Sequence, residues 1–528
     1  MAEGYVAFVL HAHLPFIRHP EYDDFLEERW LFEAISETYI PLINCFNQLK
    51  DEGVGFKVTF SISPPLISML TDALLQERYI NYLNRLIELS EKETERNRHA
   101  HEFHSLALMY RNKYKNDLYI FEKKYNRNLI TAFKELQDLG FIEIITSSAT
   151  HGFLPLISIH PEAARAQILA GIEIYTRHFG CKPRGLWLPE CGYIPEIEKF
   201  LVESGIEYII MESHGVLFAN PRPVYGTFAP IVSKNGIIAF GRDIESSKQV
   251  WSAENGYPSD YDYRDFYRDV GYDLDINYVK PYILPDGQRI HTGIKYYKIT
   301  GKTSDKQPYN PRQAISKTQV HSEDFLINRM EQIDYLTSKM DKPPVIVCPY
   351  DAELFGHWWH EGPNWLYALL KKIASMSQNI ELTTPGIYID KYPLMQVASP
   401  CSSSWGAKGY NEIWLNPNND WIYRHLHRAA ERMIELANSY PKANGLVKDA
   451  LNQAARELLL AQSSDWAFIM KAETMVEYAK KRTQDHINRF TKLYYDIKEN
   501  NIDESWLSDI QWKDNIFPDI DYRIYRSG

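Results

Sequence analysis

Tyr5-Val6-Ala7-Phe8-Val9-Leu10 is a short, unbroken apolar run that ends abruptly in His11-Ala12-His13-Leu14-Pro15. It reads as a buried strand, and the polar residues at its carboxyl end stand where α/β barrels place their chemistry. The form recurs. Gly55 to Ser61 runs into Ser63-Pro64-Pro65, Ile142 to Ile145 into Thr146 to His151, and Gly185 to Leu188 into Pro189-Glu190. Tyr208 to Met211 runs into Glu212-Ser213-His214, Ile238 to Phe240 into Arg242-Asp243, and Val345 to Cys348 into Pro349-Tyr350-Asp351. Strands separated by helical stretches, each ending in polar residues, predict a parallel βα array closed into a barrel. An eighth βα unit is not evident.

Residues 68–138 interrupt the rhythm. They are rich in Leu, Glu, Lys, Arg and Tyr, with almost no Gly or Pro, and read as a helical insertion. Residues 244–320, with many Tyr, Asp and Gly, read as long loops near the site. From about Asn419 the period is helical, which predicts a C-terminal helical domain. The expected division is a catalytic barrel over 1–67 and 139–400, the insertion over 68–138, and a helical domain over 401–528 that contributes to the cleft.

Bulk properties narrow the class. A chain of 528 residues is too long for one compact core. Its 12 Trp and 36 Tyr suit flat, amphipathic ligands whose faces stack on rings. A net charge of −11 argues against a nucleic-acid partner. The N-terminus lacks the basic stretch of a signal peptide, and no run approaches the ~20 apolar residues of a membrane span. The five cysteines are scattered and lack C-x-x-C pairing, which points to a reducing compartment, the cytoplasm.

Two carboxylates stand out. Glu190, in Leu186-Trp187-Leu188-Pro189-Glu190-Cys191-Gly192-Tyr193, sits at the mouth of an apolar strand; a loop carboxylate or helix N-cap would read the same way. Asp351 is delivered by another strand and followed by Phe355, His357, Trp358 and Trp359. One acid on each of two strand ends is what retaining glycoside chemistry needs, with the two carboxyls about 5–5.5 Å apart. His11 and His13 could converge on a metal or hydrogen-bond sugar hydroxyls, and His151 has the same ambiguity. No further ligand with metal-like spacing is visible, so no metal and no cofactor are expected. Arg242 reads as a ligand clamp or half of a structural ion pair. Trp405 and Trp414 lie among Gly, Asn and Pro and read as exposed stacking surfaces, whereas Trp421, Trp506 and Trp512 read as packing.

The ordered blocks His11 to Phe16, Thr146 to His151, Trp187 to Cys191, Pro349 to Phe355 and Ser404 to Asp420 resemble the five sequence regions of glycoside hydrolase family 57, in order and over nearly the whole chain. The tail, with Trp421 to His427 and Ser463-Ser464-Asp465-Trp466, is similar to the family's α-1,4-glucan branching enzymes. The resemblance implies an incomplete TIM-like (β/α)7 barrel, a small helical insertion, a C-terminal α-helical domain and a retaining mechanism without metal. It implies Glu190 as nucleophile and Asp351 as general acid/base. It places His11, His13, Trp30, His151, Trp405, Trp414 and Asp465 on the substrate, which would be amylose or a glycogen-like α-1,4-glucan, with no nucleic acid or membrane as partner. Where several relatives carry a Trp, this chain reads Lys295-Tyr296-Tyr297, so Tyr297 would be a smaller platform. Branching, α-amylase and 4-α-glucanotransferase activities would share the same pair of acids and differ in the acceptor. A metal-dependent deacetylase or a non-catalytic glucan-binding protein are the readings outside that class.

Overall fold

A computed structural model describes residues 3–252, 256–283, 287–303, 305–376 and 379–528. Among the described residues there are ten strands: β1 (Gly4–Ala12), β2 (Val58–Ile62), β3 (Ile142–Ser147), β4 (Gly185–Trp187), β5 (Tyr208–Met211), β6 (Ile231–Val232), β7 (Ile238–Gly241), β8 (Val345–Asp351), β9 (Ile380–Leu382) and β10 (Gln396–Val397). Seven of them form the parallel array β8-β1-β2-β3-β4-β5-β7. Two short strands lie beside β7, β6 running antiparallel to it and β10 parallel to β6, while β9 pairs with the start of β1. No ladder joins β7 to β8 among the described residues. One backbone bond crosses the seam, from Asp243 N–H to Val347 C=O at 2.9 Å. The result is the parallel βα array that the strand pattern predicts, left as the incomplete TIM-like barrel that the resemblance implies.

The bodies of β1 and β8 are apolar because both of their faces are buried. Tyr5, Ala7 and Val9 join Ile145, Trp187, Tyr208, Ile210, Phe240, Val345 and Val347 in a plug inside the barrel. Val6, Phe8 and Leu10, with Ile346 and Cys348, face outward against the surrounding helices. Side chains alternate sides along a strand, so a run covered on both faces shows no polar alternation.

Helices Ala73–Arg96, His101–Leu118 and Leu129–Asp138 occupy most of the stretch read as an insertion. Asp72 and Asn128 start the first and third by accepting from Leu75 N–H and Ile130 N–H, satisfying orphan donors of the first turn. The region 244–320 is less loop-like than its composition suggests, although 253–255, 284–286 and 304 lie outside the described residues. Asp243 caps a helix over Ile244–Trp251, and Asn310 caps a long one over Pro311–Thr337. The C-terminal segment folds into helices Trp421–Ser439, Gly445–Ala461, Ser464–Ala472, Val476–Glu499 and Glu504–Lys513. Of the tryptophans read there as packing, Trp512 is instead about half exposed. No described helix is long and apolar enough to cross a membrane.

Candidate active site

Strand parity decides which polar residues face the barrel mouth. On β1 the inward set Tyr5, Ala7, Val9 continues to His11, and on β8 the set Val345, Val347 continues through Pro349 to Asp351. Register aligns His11 with Asp351 on one side and with Ser61 of β2 on the other. Glu190 follows β4 in a turn with φ 60° and ψ 23°, and Cys191 and His151 also have positive φ. Three non-glycine residues in the left-handed region at one mouth mark a backbone held in place by its surroundings, as at functional sites.

The histidines form a packed stack. His11 lies on Trp187 with ring centroids 4.5 Å apart, and His13 lies on His151 at 3.8 Å. His11 Nδ1 is 3.0 Å from Ser61 Oγ, and its Nε2 is 3.0 Å from His151 Nε2. Burial, and then the neighbouring histidine charge, hold the pKa of His11 and His151 far below the usual range, so both are neutral. Burial acts on His13 in the same direction, but the Asp465 carboxylate 3.1 Å from its Nε2 outweighs it, and the His13 pKa is raised. Asp465 is correspondingly held down at about 2: burial pushes it up and His13 overcomes that.

Glu190 and Asp351 have opposite surroundings. Glu190 Oε2 accepts from Trp405 Nε1–H at 2.7 Å, and Oε1 accepts from Ser464 Oγ–H at 3.1 Å. Asp351 accepts no hydrogen bond from any described residue. Burial lifts both to about 7; Asp465 and Asp351 push Glu190 further up, and Glu353 does so for Asp351. Donors to a carboxylate favour its ionised form. The two donors favour the anion at Glu190, whereas at Asp351 that tendency comes only from the charges of Arg242 and His13.

Both carboxylates open into one cavity of about 540 Å³, together with His11, His13, His151, Arg242, Trp405, Trp414 and Asp465. Helix Ser464–Ala472 reaches the barrel through Ser464 N–H, which donates to His151 C=O at 3.1 Å. Arg242 is paired with Glu212 at 3.1 Å, which is the ion pair expected of it, and its guanidinium lies over the Trp405 ring in the cavity wall. Trp358, among the aromatics that follow Asp351, also lines the cavity, as do Trp251, Glu353 and Phe468, which the sequence did not single out. Glu353 had a signal, since it stands two residues after Asp351; it accepts from Tyr39 O–H at 2.5 Å.

The sequence model of Glycosyl hydrolase family 57 matches residues 7–399. The chain belongs to this family. A second model, 1,4-alpha-glucan branching enzyme, C-terminal, matches residues 425–525. A 1,4-alpha-glucan branching enzyme of Thermococcus kodakarensis is 34% identical, aligned over 98% of this chain and 77% of its own. Among solved structures, an alpha-amylase, AmyC, from Thermotoga maritima superposes with TM-score 0.93 at 45% identity, covering 99% of both chains. A family 57 branching enzyme from Pyrococcus horikoshii superposes with TM-score 0.89 at 34% identity, covering 99% of this chain and 97% of its own.

Not every residue suggested by likeness to family 57 takes the place expected of it. Trp414 lines the cavity but is only 1% exposed, because its indole is stacked on Phe153 at 4.7 Å; it is not the exposed platform its loop composition suggests. Tyr297 is absent from the cavity lining and packs between Phe103 and Arg268. Trp30 is likewise absent from the lining and meets Tyr478 edge-on. Trp405 does face the cavity, and its indole N–H is committed to Glu190. Trp405→Phe keeps an aromatic face and removes that donor. A hydrogen bond to a charged group contributes about 1.5–3 kcal/mol, so kcat should fall about ten- to a hundredfold with KM changed less. Steady-state kinetics on amylose check this; an unchanged kcat would leave the indole as surface only.

Folding completes a metal-like trio that spacing concealed: His13, His151 and Asp465 present ligand atoms within 4.8 Å of one another. The His13 nitrogens are already engaged, Nδ1 by Ser63 at 2.8 Å and Nε2 by Asp465. Its raised pKa puts a proton where a divalent cation would need a lone pair. We expect elemental analysis to find well under one zinc per chain and activity to survive chelation. Stoichiometric zinc with loss of activity on chelation would reverse that.

Proposed function

We propose that this chain is a 1,4-α-glucan branching enzyme working by retaining double displacement, with Glu190 as nucleophile and Asp351 as general acid/base. The observation that carries the chemistry is the asymmetry of the pair: Glu190 accepts two hydrogen bonds, which favour its anion, and Asp351 accepts none from the described residues. Glu190 attacks the anomeric carbon while Asp351 gives its proton to the departing 4-oxygen. The ester leaves Glu190 uncharged, which takes a negative charge out of the cavity that Asp351 shares and favours the ionised form of Asp351. Asp351 then takes the proton of an incoming 6-hydroxyl, whose oxygen displaces Glu190 and closes the α-1,6 link. His13 and Asp465 form a charged pair on the cavity wall able to bind sugar hydroxyls, and Trp405 offers a stacking face.

The acceptor distinguishes branching from hydrolysis. Trp251 is common to the catalytic cavity and to two others, of about 670 and 810 Å³. A branch point joins three chain directions, and cavities meeting at one aromatic residue suit it better than a single two-ended cleft. Hydrolysis is the second reading, favoured by the alpha-amylase at 45% identity. The barrel over 1–67 and 139–400 would carry the acids, with 68–138 inserted and 401–528 completing the cleft. Five unpaired cysteines support a cytoplasmic location, where glycogen synthesis would use such an enzyme. The test is incubation with amylose, then debranching and chain-length analysis. New α-1,6 points with little reducing sugar are expected; reducing ends without branch points would make the hydrolytic reading the correct one.

A further inference from the structure

His11 and His151 stand in the cavity wall, yet every one of their ring nitrogens is engaged within the protein. Their contacts form a line: Ser61 Oγ to His11 Nδ1 at 3.0 Å, His11 Nε2 to His151 Nε2 at 3.0 Å, His151 Nδ1 to Ser464 Oγ at 3.0 Å, and Ser464 Oγ to Glu190 Oε1 at 3.1 Å. All four partners upstream of Glu190 are buried.

Proton counting gives the line a direction. An ionised Glu190 only accepts, so the single hydroxyl proton of Ser464 points at it. Ser464 must then accept from His151 Nδ1–H. A neutral His151 so protonated has a bare Nε2, which accepts from His11 Nε2–H. That leaves His11 Nδ1 bare, to accept from Ser61 O–H. Each link fixes the tautomer of the next, and such chains polarise in one sense.

We infer that Ser464 is a positioning residue for the Glu190 carboxylate, the last link of a one-way hydrogen-bond chain from Ser61 through His11 and His151. This rests on Glu190 being the nucleophile. Ser464 comes from the first turn of helix Ser464–Ala472, and its own backbone N–H is tied to His151 C=O, so the tail of the chain sets both the place and the charge state of a group on the barrel. His11 and His151 thereby act through Glu190 as well as forming wall.

The test begins with the parent enzyme and a slow fluorinated maltosyl fluoride, followed by peptide mapping. Label on Glu190 is expected; label on another carboxylate would sink the nucleophile reading and this proposal with it. Ser464→Ala and Ser464→Thr are then compared by kinetics against pH and by thermal unfolding. In Ser464→Ala, kcat should fall about ten- to a hundredfold with KM within about twofold. Its acid limb should move to higher pH, because a carboxylate that loses a donor is protonated more readily. Asp351, Asp465, His13 and His151, the titrating groups that face Glu190, are unchanged in both variants. Ser464→Thr keeps the hydroxyl and should restore most of kcat and the parental limb. An unmoved acid limb in Ser464→Ala, or Ser464→Thr folded like the parent but as slow as Ser464→Ala, would overturn the inference.

Discussion

Glu190→Gln is expected to lose turnover on amylose by ~10⁴-fold or more, the scale on which enzymes lose rate when a covalent nucleophile is removed. The fold should persist, since the amide oxygen can still accept from Trp405 while its NH2 donates to a rotated Ser464 hydroxyl. Asp351→Asn should be nearly as slow on glucan, for a different reason: the 4-oxygen would have to leave without a proton. The two variants part on a substrate whose leaving group needs none, such as a maltosyl fluoride. Asp351→Asn should release fluoride in a burst and accumulate glycosyl-enzyme, having lost the base for the second step, whereas Glu190→Gln should show no burst. Rapid-quench kinetics with intact-mass detection reads both. A burst from Glu190→Gln, or its absence from Asp351→Asn with label elsewhere, would mean that the pair is misassigned. In the parent, kcat/KM should follow a narrow bell near neutrality, because both acids lie at about 7 and the active form holds one proton between them.

The second large effect concerns stability and runs the other way. The Asp351 carboxyl is lifted from 3.8 to about 7, mainly by burial and then by Glu353. The folded chain therefore keeps a proton that the unfolded chain has released. A group raised in this way supports the fold fully at pH values below 3.8, and its support drains away up to about pH 7. The cost over that window is about 4 kcal/mol if this group alone carries it. Asp351→Asn has nothing to ionise. Its advantage over the parent should be slight near pH 4, widen by a few kcal/mol as the pH climbs to 7, and then hold level. Denaturant unfolding at pH 4.5, 6 and 8 measures this; a difference constant with pH would show that the Asp351 carboxyl titrates normally in the folded chain.

The barrel was legible because each strand is a compact apolar block ending in a polar residue, and residue parity alone carries His11 and Asp351 to the same mouth. Helix caps were less so: Asn310 starts a long helix inside a stretch whose Tyr, Asp and Gly content resembles loop. Trp414 shows where composition misleads, since a tryptophan among Gly, Asn and Pro is buried once Phe153 from a distant loop supplies the other face. Ser464 and Glu353 passed unnoticed for a different reason. A serine has no signature until its hydroxyl meets a partner 274 residues away, and Glu353 was overshadowed by the acid two positions before it.

His13 binds Asp465 across 452 residues, and β1, made first, finds its β8 neighbour only when Val345 and its successors have been synthesised. A ribosome releasing this chain thus holds a strand with one open edge for most of translation, a hazard for aggregation until the later segment arrives. A chain that stops between Asp351 and Ser464 carries both acids but lacks Ser464 and Asp465, so it cannot assemble the complete centre. The complete centre therefore forms only when Ser464–Ala472 has been made and docks on the barrel.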